Sequence, residues 1–75
     1  MNAKYILCKE TYQAKQGMRV AYGIAAYDQD TDTCIARLHD VTSDKAALTR
    51  LIFLCNRLQL SPVHLYDVVE DFLAN

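Results

Sequence analysis

The hydrophobic period of this chain changes once, across Asp40-Val41-Thr42-Ser43-Asp44, and that change limits the folds open to it. Before it, apolar residues recur at every second position, as a strand with one buried face requires. After it they recur at three and four, as an amphipathic helix requires. Ala3 to Tyr12 alternates and is rich in β-formers (Tyr5, Ile6, Leu7, Cys8, Thr11, Tyr12). Ala14-Lys15-Gln16-Gly17 forms a hairpin connection, with Gly17 available for positive φ. Met18 to Tyr27 is the clearest strand, Asp28-Gln29-Asp30-Thr31-Asp32 a polar turn, and Thr33 to His39 a third strand. Short connections between successive strands predict an antiparallel meander.

Two helices follow. Thr42 or Ser43 is the expected N-cap of the first, with Asp44 in its first turn complementing the helix dipole. Its stripe reads Leu48, Leu51, Ile52, Cys55, Leu58, and the pattern fades near Asn56 to Leu58. Ser61 and Pro62 supply an N-cap and a first-turn proline for the second helix, whose stripe reads Leu65, Val68, Val69, Phe72, Leu73. The expected architecture is α+β: a three-stranded antiparallel β-meander followed by two α-helices packed on one face of the sheet, as a single domain over residues 1–75.

The sheet carries apolar or small residues on both faces. In the central strand Met18, Val20, Tyr22, Ile24 and Ala26 line one face, and Ala21, Gly23 and Ala25 occupy the middle of the other. Half-solvated antiparallel sheets normally alternate apolar with polar. Either the small residues are tolerated on a solvent face, or Ala21, Gly23 and Ala25 meet a second subunit or partner. A free edge strand is the other candidate contact.

Charge and cysteine usage exclude several classes. Eight basic against nine acidic residues in 75 give no field favouring nucleic acid or anionic lipid. Three cysteines, Cys8, Cys34 and Cys55, form no even framework and no C-x-x-C pair, which points to a reduced, cytoplasmic setting. No apolar run approaches the roughly 18 residues of a membrane helix, and the alternation from Ala3 onward leaves no apolar segment of signal-peptide type.

The candidate chemistry is thin. Asp28 to Asp32 imitates the opening of a calcium loop, but the sixth and twelfth positions, which want glycine and glutamate, are Thr33 and His39. Cys34 and His39, five apart in a strand, fall on opposite faces, and Cys55 and His64 lie on different helices, so no metal or other cofactor is expected. His64 lies three residues after Ser61, where a side chain reaches back to the N-cap N–H, and Asp67 follows one turn on. A His64–Asp67 general-base pair would lack a nucleophile, since Ser61 is expected as a cap and Tyr66 is the other nearby hydroxyl. The second helix carries Asp67, Glu70 and Asp71 with no base, which argues against a DNA groove. Tyr12 and Tyr22 share faces with aliphatic residues and read as core, not as a base-stacking platform. No phosphate loop, nucleophile elbow or dinucleotide fingerprint is present.

Tyr22-Gly23-Ile24, Asp40-Val41-Thr42, Leu54-Cys55-Asn56, Leu60-Ser61-Pro62-Val63-His64-Leu65 and Asp67-Val68-Val69-Glu70-Asp71-Phe72-Leu73 together resemble a family of small proteins of unknown function from clostridia-like Firmicutes. The resemblance implies a cytosolic bacterial protein with a sheet followed by helices, and no activity or cofactor. It singles out Asn56, Ser61, Pro62, His64, Asp67 and Asp71. Its members often place a glycine between the helices, where this chain has Leu58. Asn56 is also positioned to cap the first helix in a left-handed conformation.

The expectation is a non-enzymatic interaction or regulatory module, self-associating or bound to a protein partner, with no nucleic acid or membrane involved. The alternative is a small ligand-binder or enzyme using the His64/Asp67 helix end. Asp67, Glu70 and Asp71 are expected on the solvent side of the last helix. Arg50 and Arg57, or Lys4 and Lys9, are the counter-charges available to Glu70 or Asp71, within the chain or across a dimer.

Overall fold

The computed structural model describes residues 2–74, and they form a sheet layer and a helix layer. Strands β1 (Ala3–Ala14), β2 (Gly17–Asp28) and β3 (Thr33–Thr42) pair antiparallel in the order β1-β2-β3. Helix α1 (Lys45–Arg57) follows, then a single 3₁₀ turn over Pro62–His64, then α2 (Leu65–Ala74). The meander and the two helices are those the period change predicts.

Register explains the layers. Tyr5 pairs with Ala26 and Leu7 with Ile24, and Ala26 pairs in turn with Ala36 and Ile24 with Leu38. These inward residues meet Leu48, Ile52 and Cys55 of α1 and Leu65 and Val69 of α2 in one apolar cluster. Tyr5, Ile24, Leu48 and Leu65 are the largest fully enclosed side chains. Each contributes about 1.5–3 kcal/mol by leaving water. Burial holds the Cys55 thiol above its ordinary pKa, so it behaves as a small hydrophobe.

Several local expectations are corrected. Asp44, not Thr42 or Ser43, caps α1: its Oδ1 accepts from the Ala47 N–H at 3.0 Å. Thr42 Oγ1 instead accepts from the Asp44 N–H at 3.1 Å, because β3 runs on to Thr42 and holds that residue in the sheet. Leu58 is 73 % exposed. The chain turns left-handed at Gln59 (φ 51°), one residue past the position where the family resemblance places glycine. Leu60 comes back to the core in place of Leu58, its N–H donating to the Cys55 carbonyl at 3.0 Å. Leu73 is also exposed, at the flank of α2 near β3. Tyr12 pairs with Arg19 on the outer face and is exposed, so it is no part of the core.

Ser61 occupies the N-terminal position of the 3₁₀ turn, but its side chain makes no capping bond. The His64 N–H that it would cap donates to the Ser61 carbonyl at 2.9 Å. The tighter turn satisfies through the backbone what the hydroxyl would have satisfied.

Candidate functional site

The middle of β2 has small side chains because β3 bulges against it. Tyr22 pairs with Thr42 and Ile24 with Leu38, so His39, Asp40 and Val41 stand opposite the single residue Gly23. Asp40 adopts φ 52°, a left-handed conformation that aspartate tolerates better than most residues. A Cβ on Gly23 would overlap the Leu38 carbonyl oxygen, which is backbone and has nowhere to go. Glycine is therefore required there.

The bulge is clamped from the far strand. Glu10 of β1 pairs in register with Ala21, and its carboxylate reaches across β2 to β3. Oε2 meets His39 Nδ1 at 2.5 Å and Oε1 accepts from the Asp40 N–H at 3.0 Å. Strands two apart in a sheet are about 10 Å from each other, so the reach needs a floor without side chains, and Ala21 and Gly23 supply it. The His39 bond first, and the Asp40 N–H second, hold the Glu10 carboxyl below its ordinary pKa. Both carboxylate oxygens are engaged, which makes the pair a clamp on the bulge and leaves Glu10 poorly placed as a general base.

The candidate contact Ala21, Gly23 and Ala25 is enclosed within the single chain. All three are buried, Ala21 at 4 % and Ala25 at 0 % exposure, between the cross-strand neighbours on either side. Ala25, for example, lies between Ile6 and Arg37. The stripe therefore has a reason internal to the sheet.

Asn56 has a role different from the expected cap. Its Oδ1 accepts from the Tyr5 N–H at 2.7 Å and its Nδ2 donates to the Tyr5 carbonyl at 2.9 Å. The amide thus imitates one residue of a neighbouring strand and occupies the outer edge of β1, where an unpaired strand would otherwise template association. The buried Tyr5 hydroxyl donates to the Leu60 carbonyl at 2.5 Å, and burial raises its pKa, keeping the proton in place. One residue of β1 therefore holds both ends of the α1–α2 connection. The β1 edge is thus occupied at Tyr5, and β3 is bulged at His39–Val41.

The remaining polar candidates do not converge. Ser61, His64, Asp67 and Asp71 are all exposed. Among the described residues no hydrogen bond joins His64 to Asp67, and no group of three or more His, Cys, Asp or Glu side chains is placed to hold a metal ion. No buried side-chain polar atom among them lacks a partner. A hollow of about 590 Å³ beside Asn2, Tyr27, Gln29 and Gln59 is open and polar.

The least expected feature is the outer side of α1. Phe53 is 62 % exposed and Leu54 48 %, and with Thr49 and Arg50 they line a shallow apolar groove of about 510 Å³. Leu58 and Val63 are exposed beyond the helix, and Tyr66 and Leu73 stand exposed on α2. The sequence carries a signal for this in the run Leu51-Ile52-Phe53-Leu54-Cys55. Five successive apolar residues in a helix point all around it, so one core cannot take them all.

Comparison with protein families matches residues 1–75 to one described as a family of unknown function, DUF6514. The chain belongs to that family. Neither comparison with curated proteins nor comparison with solved structures gives a significant match.

Proposed function

We infer that this member of the family is a non-enzymatic protein-interaction module, acting in the cytoplasm, whose contact surface is the helix layer. The observation that carries the reading is the exposed Phe53–Leu54 surface of α1. Soluble domains rarely leave contiguous large apolar side chains in water unless something covers them. Two further features favour a helix-side contact over the sheet: the small-residue stripe is buried, and Asn56 occupies the β1 edge. The non-enzymatic part of the reading is supported by the exposure of Ser61, His64 and Asp67, with no hydrogen bond joining His64 to Asp67 among the described residues, and by the double engagement of Glu10.

Affinity capture with tagged full-length chain tests this, wild type beside a Phe53→Asp, Leu54→Asp variant that melts at the temperature of dilute wild type. Partners, including the chain itself, should be retained by the wild type and released by the variant. Equal retention by both, with loss on replacing the outer-sheet residues Ile6 and Arg37 instead, would move the contact to the sheet and overturn the reading.

A further inference from the structure

Resting on that reading, we propose that the occupant of the helix layer is a second copy of this chain, placed by a two-fold axis so that α1 of each copy lies against α2 of the other. Three observations converge on it.

The first is the division of charge between the helices. Within Lys45–Arg57 every charged residue is basic (Lys45, Arg50, Arg57), and within Leu65–Ala74 every charged residue is acidic (Asp67, Glu70, Asp71). Counting 100° per residue from the inward stripes, Arg50, Phe53 and Arg57 lie on the outward side of α1, and Asp67 and Glu70 on the outward side of α2. All five are exposed, and among the described residues neither Asp67 nor Glu70 makes an ion pair. A two-fold axis lying in the contact plane, between the two helices and along them, sets α1 of each copy over α2 of the other. Each basic helix then faces an acidic one, and the layer is its own electrostatic complement.

The second is apolar content on both partners of that pairing. Phe53 and Leu54 on α1 would lie over the outward side of α2 of the second copy, beside Tyr66, which is exposed at the flank of that helix. Aromatic anchors ringed by charges are the composition of a contact centre and its rim.

The third is area. The chain is flat, 42 × 28 × 17 Å, and exposes 5330 Å². A compact monomer of this mass would expose about 4,700 Å². The excess, roughly 600 Å², is that of a flat molecule with broad faces, on which the ~800 Å² that each partner of a standard interface removes from water can be accommodated.

Sedimentation equilibrium of the full chain, up to several hundred micromolar in moderate salt, tests the proposal. The wild type should sediment as a dimer. Phe53→Asp should weaken the dissociation constant by about 30-fold or more, and Arg50→Glu with Arg57→Glu by about 10-fold. Adding Asp67→Lys and Glu70→Lys to that charge-reversed chain should restore the dimer. Circular dichroism verifies that each variant is folded. A wild type that stays monomeric overturns the second copy as occupant, and leaves the interaction reading standing if capture still depends on Phe53 and Leu54. A dimer that ignores Phe53→Asp overturns the helix-layer geometry, and a charge reversal that is not rescued overturns the α1-on-α2 pairing.

Discussion

The two helices do the same work on their inner sides and opposite work on their outer sides. Leu48, Ile52 and Cys55 of α1 and Leu65 and Val69 of α2 enter one core over the same face of the sheet. Outward, α1 shows arginines and a phenylalanine where α2 shows carboxylates. They also differ in attachment. α1 is tied to the sheet by the Asn56 amide on the Tyr5 backbone, whereas α2 enters through a 3₁₀ turn without a side-chain cap. Inner faces therefore decide stability, and outer faces are left free for the association proposed above.

The largest effect expected is on the shared core. Leu48→Ala and Leu65→Ala should each cost about 2–5 kcal/mol in urea unfolding, while Phe53→Ala, measured at concentrations low enough to keep the chain monomeric, should stay within about 0.5 kcal/mol. A Phe53→Ala loss as large as that of Leu48→Ala would place Phe53 in the core and erase the distinction between the faces. Attachment comes next. Asn56→Ala strands the Tyr5 N–H and carbonyl beneath α1 and should cost about 1–3 kcal/mol. His64→Gln on the other helix, with an exposed ring, should change stability by less than about 0.5 kcal/mol. A comparable loss at His64 would restore the capping role that its place after Ser61 suggests.

The smallest effect concerns the sheet. The Glu10 carboxyl has a lowered pKa in the folded chain, so its contribution is present above the ordinary carboxylate range and is lost as pH falls through the folded value. His39 and Asp40 supply the bonds that lower it, and Arg37 adds to them. Melting temperature should therefore fall less steeply on acidification in Glu10→Gln than in the wild type. Identical acid profiles would remove the clamp as a source of pH dependence.

Period and turn chemistry made the architecture legible before any coordinates, because each element buries one face and that face sets the spacing of its apolar residues. Pairings between residues far apart in sequence were not legible in the same way. Glu10 and His39 are 29 positions apart, and Asn56 and Tyr5 are 51. No local rule links them. Gly23 in the middle of a strand did hold a clue, since an interior strand glycine marks a bulge or a close backbone approach. Its neighbours Ala21 and Ala25 are buried within the sheet, which small side chains on a strand face do not by themselves announce. Leu58 and Leu73 fitted helical stripes but stand where each helix leaves the core, and stripe spacing does not report where a helix stops. The Leu51 to Cys55 run was visible throughout, and its meaning depended on knowing that only one side of α1 is covered.

Melting temperature as a function of protein concentration, for the wild type and Phe53→Asp side by side, tests the division between inner and outer helix faces most directly. A chain that associates only when folded gains stability with concentration by mass action. The wild type should melt progressively higher from low micromolar to several hundred micromolar, and Phe53→Asp should melt at one temperature throughout, equal to that of dilute wild type. Two flat lines, or two lines rising together, would contradict the account.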